Sequence, residues 1–120
     1  MSMERKAIVA DRMQLTEPEA QAFWPIYNEY LEEHAKLTKE LGELVETLGR
    51  EFGDLDEATA DELLDRFHAF RKDRLDARWD AAKKLRKKLG AKRAGRFYQL
   101  ENKLDILADM DLVKTVPLVE

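Results

Sequence analysis

Apolar residues along the chain recur at steps of three and four, and no stretch is rich in alternating Val, Ile and Thr, so the pattern predicts helices and no sheet. The first helix runs from roughly Met3 to Met13. Leu15-Thr16-Glu17-Pro18-Glu19 then reads as a helix start: Thr16 can cap, Glu19 closes a capping box, and Pro18 is tolerated in the first turn. From there Phe23, Tyr27, Tyr30, His34, Leu37, Leu41, Leu44 and Leu48 form one stripe. Trp24, Leu31, Thr38, Val45 and Phe52 form a second line seven apart, giving a wide apolar face on a helix roughly 50 Å long. Pro25 lies too deep to be a start signal and predicts a kink near Gln21–Pro25.

Gly53-Asp54-Leu55-Asp56 is the turn. Either Thr59 with Glu62, as a second capping box, or Asp56 caps the third helix, which ends at Leu89 where Gly90 breaks it. A fourth helix covers roughly Ala91 to Val113, and residues 115–120 form an extended tail ahead of and beyond Pro117. The fold class expected is all-α: a long antiparallel helical hairpin with a short N-terminal helix and a returning C-terminal helix, in one domain spanning 1–120.

Charge sharpens this picture. The formal net charge is −4, but residues 1–65 carry −11, residues 66–96 carry +10 and residues 97–120 carry −3, which predicts that the basic segment folds back on the acidic one. The 44% apolar and 38% charged composition suits amphipathic helices with solvated outer faces. No apolar run approaches the ~20 residues of a membrane span, so no membrane insertion is expected. The start of the chain lacks the apolar core of a signal peptide, which leaves either a cytoplasmic chain or one whose leader has been removed.

The third helix holds an anomaly. Set at 100° steps, Leu64, Phe67, Leu75, Ala82, Leu85 and Leu89 share an arc of roughly 80°. Arg71, Arg74 and Arg78 point the same way. In the second helix His34 and Thr38 interrupt the apolar stripe, and a hairpin reversing near Asp54–Leu55 brings them level with about Leu75 and Arg71. The polar intrusions of both helices therefore meet in one band, with Glu101 of the fourth helix as the nearest acid. Two readings stay open at this point. The arginines are buried ion pairs, or they belong to a cationic and apolar surface for polypeptide, made of Arg71, Arg74, Arg78, Phe67, Phe70, Leu75 and Trp79. In the first reading His34, Thr38 and Glu101 form a structural polar band.

Other chemistry is sparse. The chain has no cysteine, its only serine is Ser2, and it shows no Gly-rich phosphate loop, so no enzyme activity and no cofactor are expected. His34 and His68 would sit about 10 Å apart along the hairpin, too far to share a metal. Lys83-Lys84-Leu85-Arg86-Lys87-Lys88 reads as a solvated face at a helix C-terminus, and nucleic-acid binding is not expected in so acidic a chain. Ala35, Gly42 and Gly49, seven apart on the second helix, permit close helix approach and predict a homodimer.

Leu15-Thr16-Glu17-Pro18-Glu19 resembles the Leu-Thr-x-x-Gln motif of the periplasmic Spy/CpxP-like proteins, with Glu19 in place of Gln. Leu89-Gly90-Ala91-Lys92-Arg93, followed by Phe97-Tyr98-Gln99-Leu100-Glu101, resembles their second copy, with Gly90 and Arg93 as departures. With Phe23-Trp24-Pro25, the pattern is most similar to an uncharacterised bacterial branch. The resemblance implies a periplasmic, curved, antiparallel dimer that binds unfolded protein under stress without ATP. A regulatory protein docking one specific partner is the alternative.

Overall fold

The computed structural model describes residues 2–116 and 118–119, without the side chains of Ser2, Met3 and Phe52; Pro117 and Glu120 of the expected tail lie outside the described residues. It contains four α-helices, α1 (Ser2–Met13), α2 (Glu17–Glu51), α3 (Glu57–Leu89) and α4 (Ala91–Val113), and no strand among the described residues. α2 and α3 form the long hairpin, α4 returns along α3, and α1 packs on α4. The molecule measures 55 × 23 × 19 Å, its length being that of α2.

Local signals account for each boundary. The Thr16 backbone N–H donates to Glu19 Oε1 at 2.9 Å and the Glu19 N–H to Thr16 Oγ1 at 3.4 Å, a reciprocal capping box. Gln14, at φ 51°, turns the chain between α1 and α2 through the left-handed region. α2 is one continuous helix through Pro25. A 3₁₀ turn at Phe52–Asp54 reverses the hairpin. Asp56, rather than Thr59, caps α3: its Oδ1 accepts the Thr59 N–H at 2.7 Å. Gly90 alone separates α3 from α4. Its φ of 87° suits a residue without Cβ, and its N–H closes α3 on the Arg86 carbonyl at 3.0 Å.

Two apolar clusters divide the length. At the four-helix end, Val9 and Met13 of α1 meet Phe23, Tyr27 and Tyr30 of α2, Ala82 and Leu85 of α3, and Phe97 of α4. At the hairpin tip Leu37, Leu44 and Leu48 of α2 meet Leu63 and Phe70 of α3, with Val116 folded against them from beyond α4. The tip is therefore mostly two helices thick.

The buried face of α3 differs from the expected one. Leu63, Phe70, Ala81 and Leu85 point inward, whereas Leu64 and Leu75 are exposed. Ala82 and Leu85 are buried as expected, but the arc is broader and displaced toward Leu63 and Phe70 because α3 packs on α2 along one side and on α4 along the other. The basic segment does fold back on the acidic one, α3 packing along α2, but with few ion pairs between them. Lys84–Glu29 at 3.0 Å is the one α2–α3 ion pair among the described residues, and the arginines of α3 turn to the acids of α4 instead.

Candidate functional site

The polar band exists, and it is an ionic layer across all four helices. Asp105, almost wholly buried, is its hub. Its Oδ2 accepts from Arg78 Nη2 at 2.7 Å, and its Oδ1 accepts from Arg5 Nη2 and from His34 Nε2, both at 2.9 Å. Glu101, fully buried, accepts from Arg5 at 2.7 Å and from the Tyr27 hydroxyl at 3.1 Å. Asp109 receives a bidentate fork from Arg74, at 2.7 and 3.1 Å, and a further bond from Arg71 at 3.0 Å. Thr38, on the rim, donates to the His34 carbonyl at 2.9 Å.

The layer tunes its own carboxylates. Burial alone would raise the Asp105 carboxyl, but the hydrogen bond from His34, the charge of Arg5 and the hydrogen bond from Arg78 outweigh it and hold the group well below the usual carboxylate range. Asp109 is likewise lowered, with burial opposed by Arg74 and Arg71. Burial and the neighbouring charge of Glu101 push the Tyr27 hydroxyl far upward. Every carboxylate in the layer is matched by a guanidinium, an arrangement suited to holding helices together rather than to moving protons.

The residues proposed for polypeptide binding separate into two groups. Arg78 is buried on Asp105 and Asn102 with its guanidinium 5.3 Å from the Tyr98 ring, Phe70 is in the core, and Arg74 is largely covered. Phe67 is half-buried at the tip. Arg78 and Phe70 cannot face a client in this fold, and Arg74 and Phe67 offer only part of their surface. Arg71, Leu75 and Trp79 do reach solvent. The expected Glu101–arginine pairing of α3 is also corrected: Asp105 and Asp109 take those arginines, and Glu101 takes Arg5 of α1.

Two signals in the chain point to these partners. Glu101, Asp105 and Asp109 recur at steps of four on α4, which presents an acidic row to Arg71, Arg74 and Arg78 on an antiparallel neighbour. Arg5 stands four and eight residues before Val9 and Met13, on the buried side of α1.

Trp79 and Leu75 were expected on a surface, but the groove beside them, with Tyr98 and Arg86, was not. Trp79, 46% exposed, lies edge-on to Tyr98 at 6.5 Å, with the Arg86 guanidinium 5.5 Å from its ring centre. These side chains border a groove of about 500 Å³ floored by Ala82, Ala91, Ala94 and Gly95. Leu75 continues the exposed apolar flank one turn away.

The two motif-like segments meet in space. Glu19 and Arg93, both departures at the same motif position, pair with each other at 3.2 Å and link the start of α2 to the start of α4. Among the described residues no three His, Asp or Glu side chains converge as metal ligands, and no helix is long and apolar enough to cross a membrane. No protein-family model, curated protein or solved structure matches the chain.

Proposed function

We propose that this chain is an ATP-independent, chaperone-like or stress-sensing binding protein of the bacterial envelope, taking unfolded or partner polypeptide along the α3–α4 flank. The observation that carries this reading is the Trp79 groove: a half-exposed indole, an aromatic neighbour and a guanidinium over a floor of small residues. Such a surface holds apolar side chains by area and backbone or acidic groups by charge, without demanding one sequence. Arg71 and Leu75 extend it toward the tip, with exposed Ile106, Met110 and Val113 on α4 adding apolar area.

Envelope location and family membership rest on the resemblance of the two motif-like segments, supported by their pairing through Glu19 and Arg93. A homodimer rests on Ala35, Gly42 and Gly49. The activity is binding, with no chemical step.

The test is suppression of aggregation of several unrelated denatured proteins, without nucleotide. Wild-type protein should slow it, and Trp79→Ala with Leu75→Ser should weaken the effect several-fold while leaving helicity unchanged, since both side chains are largely outside the core. Lys84→Glu with Lys88→Glu should matter less. Arg78→Glu is unsuitable as a binding variant because it places an acid against buried Asp105. Failure with every client, alongside stoichiometric binding of one protein, would replace this reading with the docking regulator.

A further inference from the structure

The other flank of α4 carries a second, differently built groove. Gln99 borders both: Tyr98 and Asn102 stand on the Trp79 side, Leu100 and Leu107 on the opposite one. There α1 and α4 run alongside each other and enclose about 670 Å³. Leu100 and Leu104 form an apolar floor, and Ile8 (42% exposed) and Leu107 (61% exposed) form apolar lips.

Its charge is one-sided. Arg12, Arg96 and Lys103 line the groove against a single acid, Asp11. Arg12 approaches only that neighbour, at 3.6 Å with both side chains mostly exposed, and Arg96 and Lys103 have no carboxylate within 4.0 Å among the described residues. In the ionic layer, by contrast, Arg5, Arg74 and Arg78 are satisfied by acids of this same chain. Here Arg96 and Lys103 stand beside exposed leucine and isoleucine with no acid of this chain on them among the described residues, so the groove offers apolar area and free positive charge together.

The shape defines the occupant further. From Arg96 to Leu107 the groove follows about three helical turns, roughly 16 Å. Its walls are two helices, with no sheet edge to add an extended strand, so a third helix packing ridge into groove is the fitting shape. We propose that the α1–α4 groove docks an acidic amphipathic helix of a partner protein. Apolar residues at i, i+3, i+4 and i+7 meet Ile8, Leu100, Leu104 and Leu107, and flanking carboxylates reach Arg12, Arg96 and Lys103.

The surface is separate from the Trp79 groove, and its test uses no unfolded client. The probe is a synthetic peptide of about 14 residues with leucines at that spacing and glutamates on both flanks, matched by a copy with lysine for glutamate. Titrated into the isotopically labelled full chain, the acidic peptide should shift resonances of Ile8, Leu100, Leu104 and Leu107 saturably and leave the Trp79 indole unmoved. Arg96→Glu with Lys103→Glu should weaken binding about tenfold or more. Leu107→Ser, an exposed change that spares the fold, should weaken it as well, while Lys83→Glu with Lys87→Glu on α3 should change it less than about twofold. The proposal is overturned if the peptide gives no saturable shift by roughly 1 mM, a weak limit even for transient docking. It is equally overturned if the lysine peptide binds as well, if the shifts centre on Trp79, or if phosphatidylglycerol vesicles or duplex DNA bind the groove more tightly than the peptide.

Discussion

The two ends of this molecule solve the same packing problem with different means. At the four-helix end, aromatic rings stack in series, with Phe23 on Tyr27 at 5.3 Å and Phe97 edge-on to Tyr30 at 5.4 Å, and the ionic layer fastens every helix to α4. At the tip, five buried apolar residues from two helices do the work, and the one ion pair near the turn among the described residues, Arg50–Glu46, lies within α2 on the surface. Exposed pairs of that kind contribute little. The contrast teaches that burial of charge here follows helix count: a layer with four walls can shield and satisfy arginines, and a two-helix layer cannot. Local opening is expected to begin at the tip.

The largest effects should come from removing the acids of the layer. Asp105→Ala leaves Arg78, Arg5 and His34 without their shared acceptor and should cost about 4 kcal/mol in chemical unfolding, in the range for one partner of a buried pair. Glu101→Ala, which strands Arg5 and the Tyr27 hydroxyl, should cost about 3 kcal/mol. Losses below about 0.5 kcal/mol for both would mean that the layer is a surface feature and that the two ends are held alike.

Acid should reproduce the first result gradually. Asp105 and Asp109 ionise at lower pH in the folded chain than in the unfolded one. Their contribution is therefore full above the ordinary carboxylate pKa of about 4 and is lost as pH falls through that value and below. Unfolding free energy measured against pH should drop below that point, and Asp105→Asn should flatten the drop. An unchanged slope in the variant would remove Asp105 from the account.

Effects at the tip should be smaller and of opposite sign. A Cβ added at Gly42 or Gly49 meets nothing within 4 Å in the single chain. Each Gly→Ala change should then stabilise α2 by about 1 kcal/mol through helix propensity alone. If the proposed homodimer brings these glycines together, the same changes should instead weaken dimerisation in sedimentation equilibrium. Unaltered self-association would take the small-residue line out of the dimer reading.

How much of this was legible from residues differs by level. Boundaries set by neighbours in sequence were readable: the Thr16–Glu19 box and the Gly90 break stand where expected, because capping and φ > 0 are local physics. The inward turn of Arg74 and Arg78 was readable as well, since helical phase is local. Their partners were not. Choosing among Glu101, Asp105 and Asp109 depends on how far α4 slides along α3, a shift of a few ångströms that no single helix encodes. Leu64 and Leu75 were assigned inward because one arc was applied to a helix that has two neighbours. Of the expected surface, Phe70 and Arg78 fall on the buried side of α3 for that same reason, while Trp79 and Leu75 stay outward.

Native-state hydrogen exchange, read amide by amide, tests the contrast between the two ends most directly. Amides around Tyr27–His34, Arg78–Leu85 and Phe97–Asp105 should exchange only with global unfolding. Those around Leu44–Leu48 and Leu63–Phe67 should exchange through a smaller opening, and Asp105→Ala should bring the first group down toward the second. Equal protection at both ends in the wild type, or a tip that outlasts the ionic layer, would contradict it.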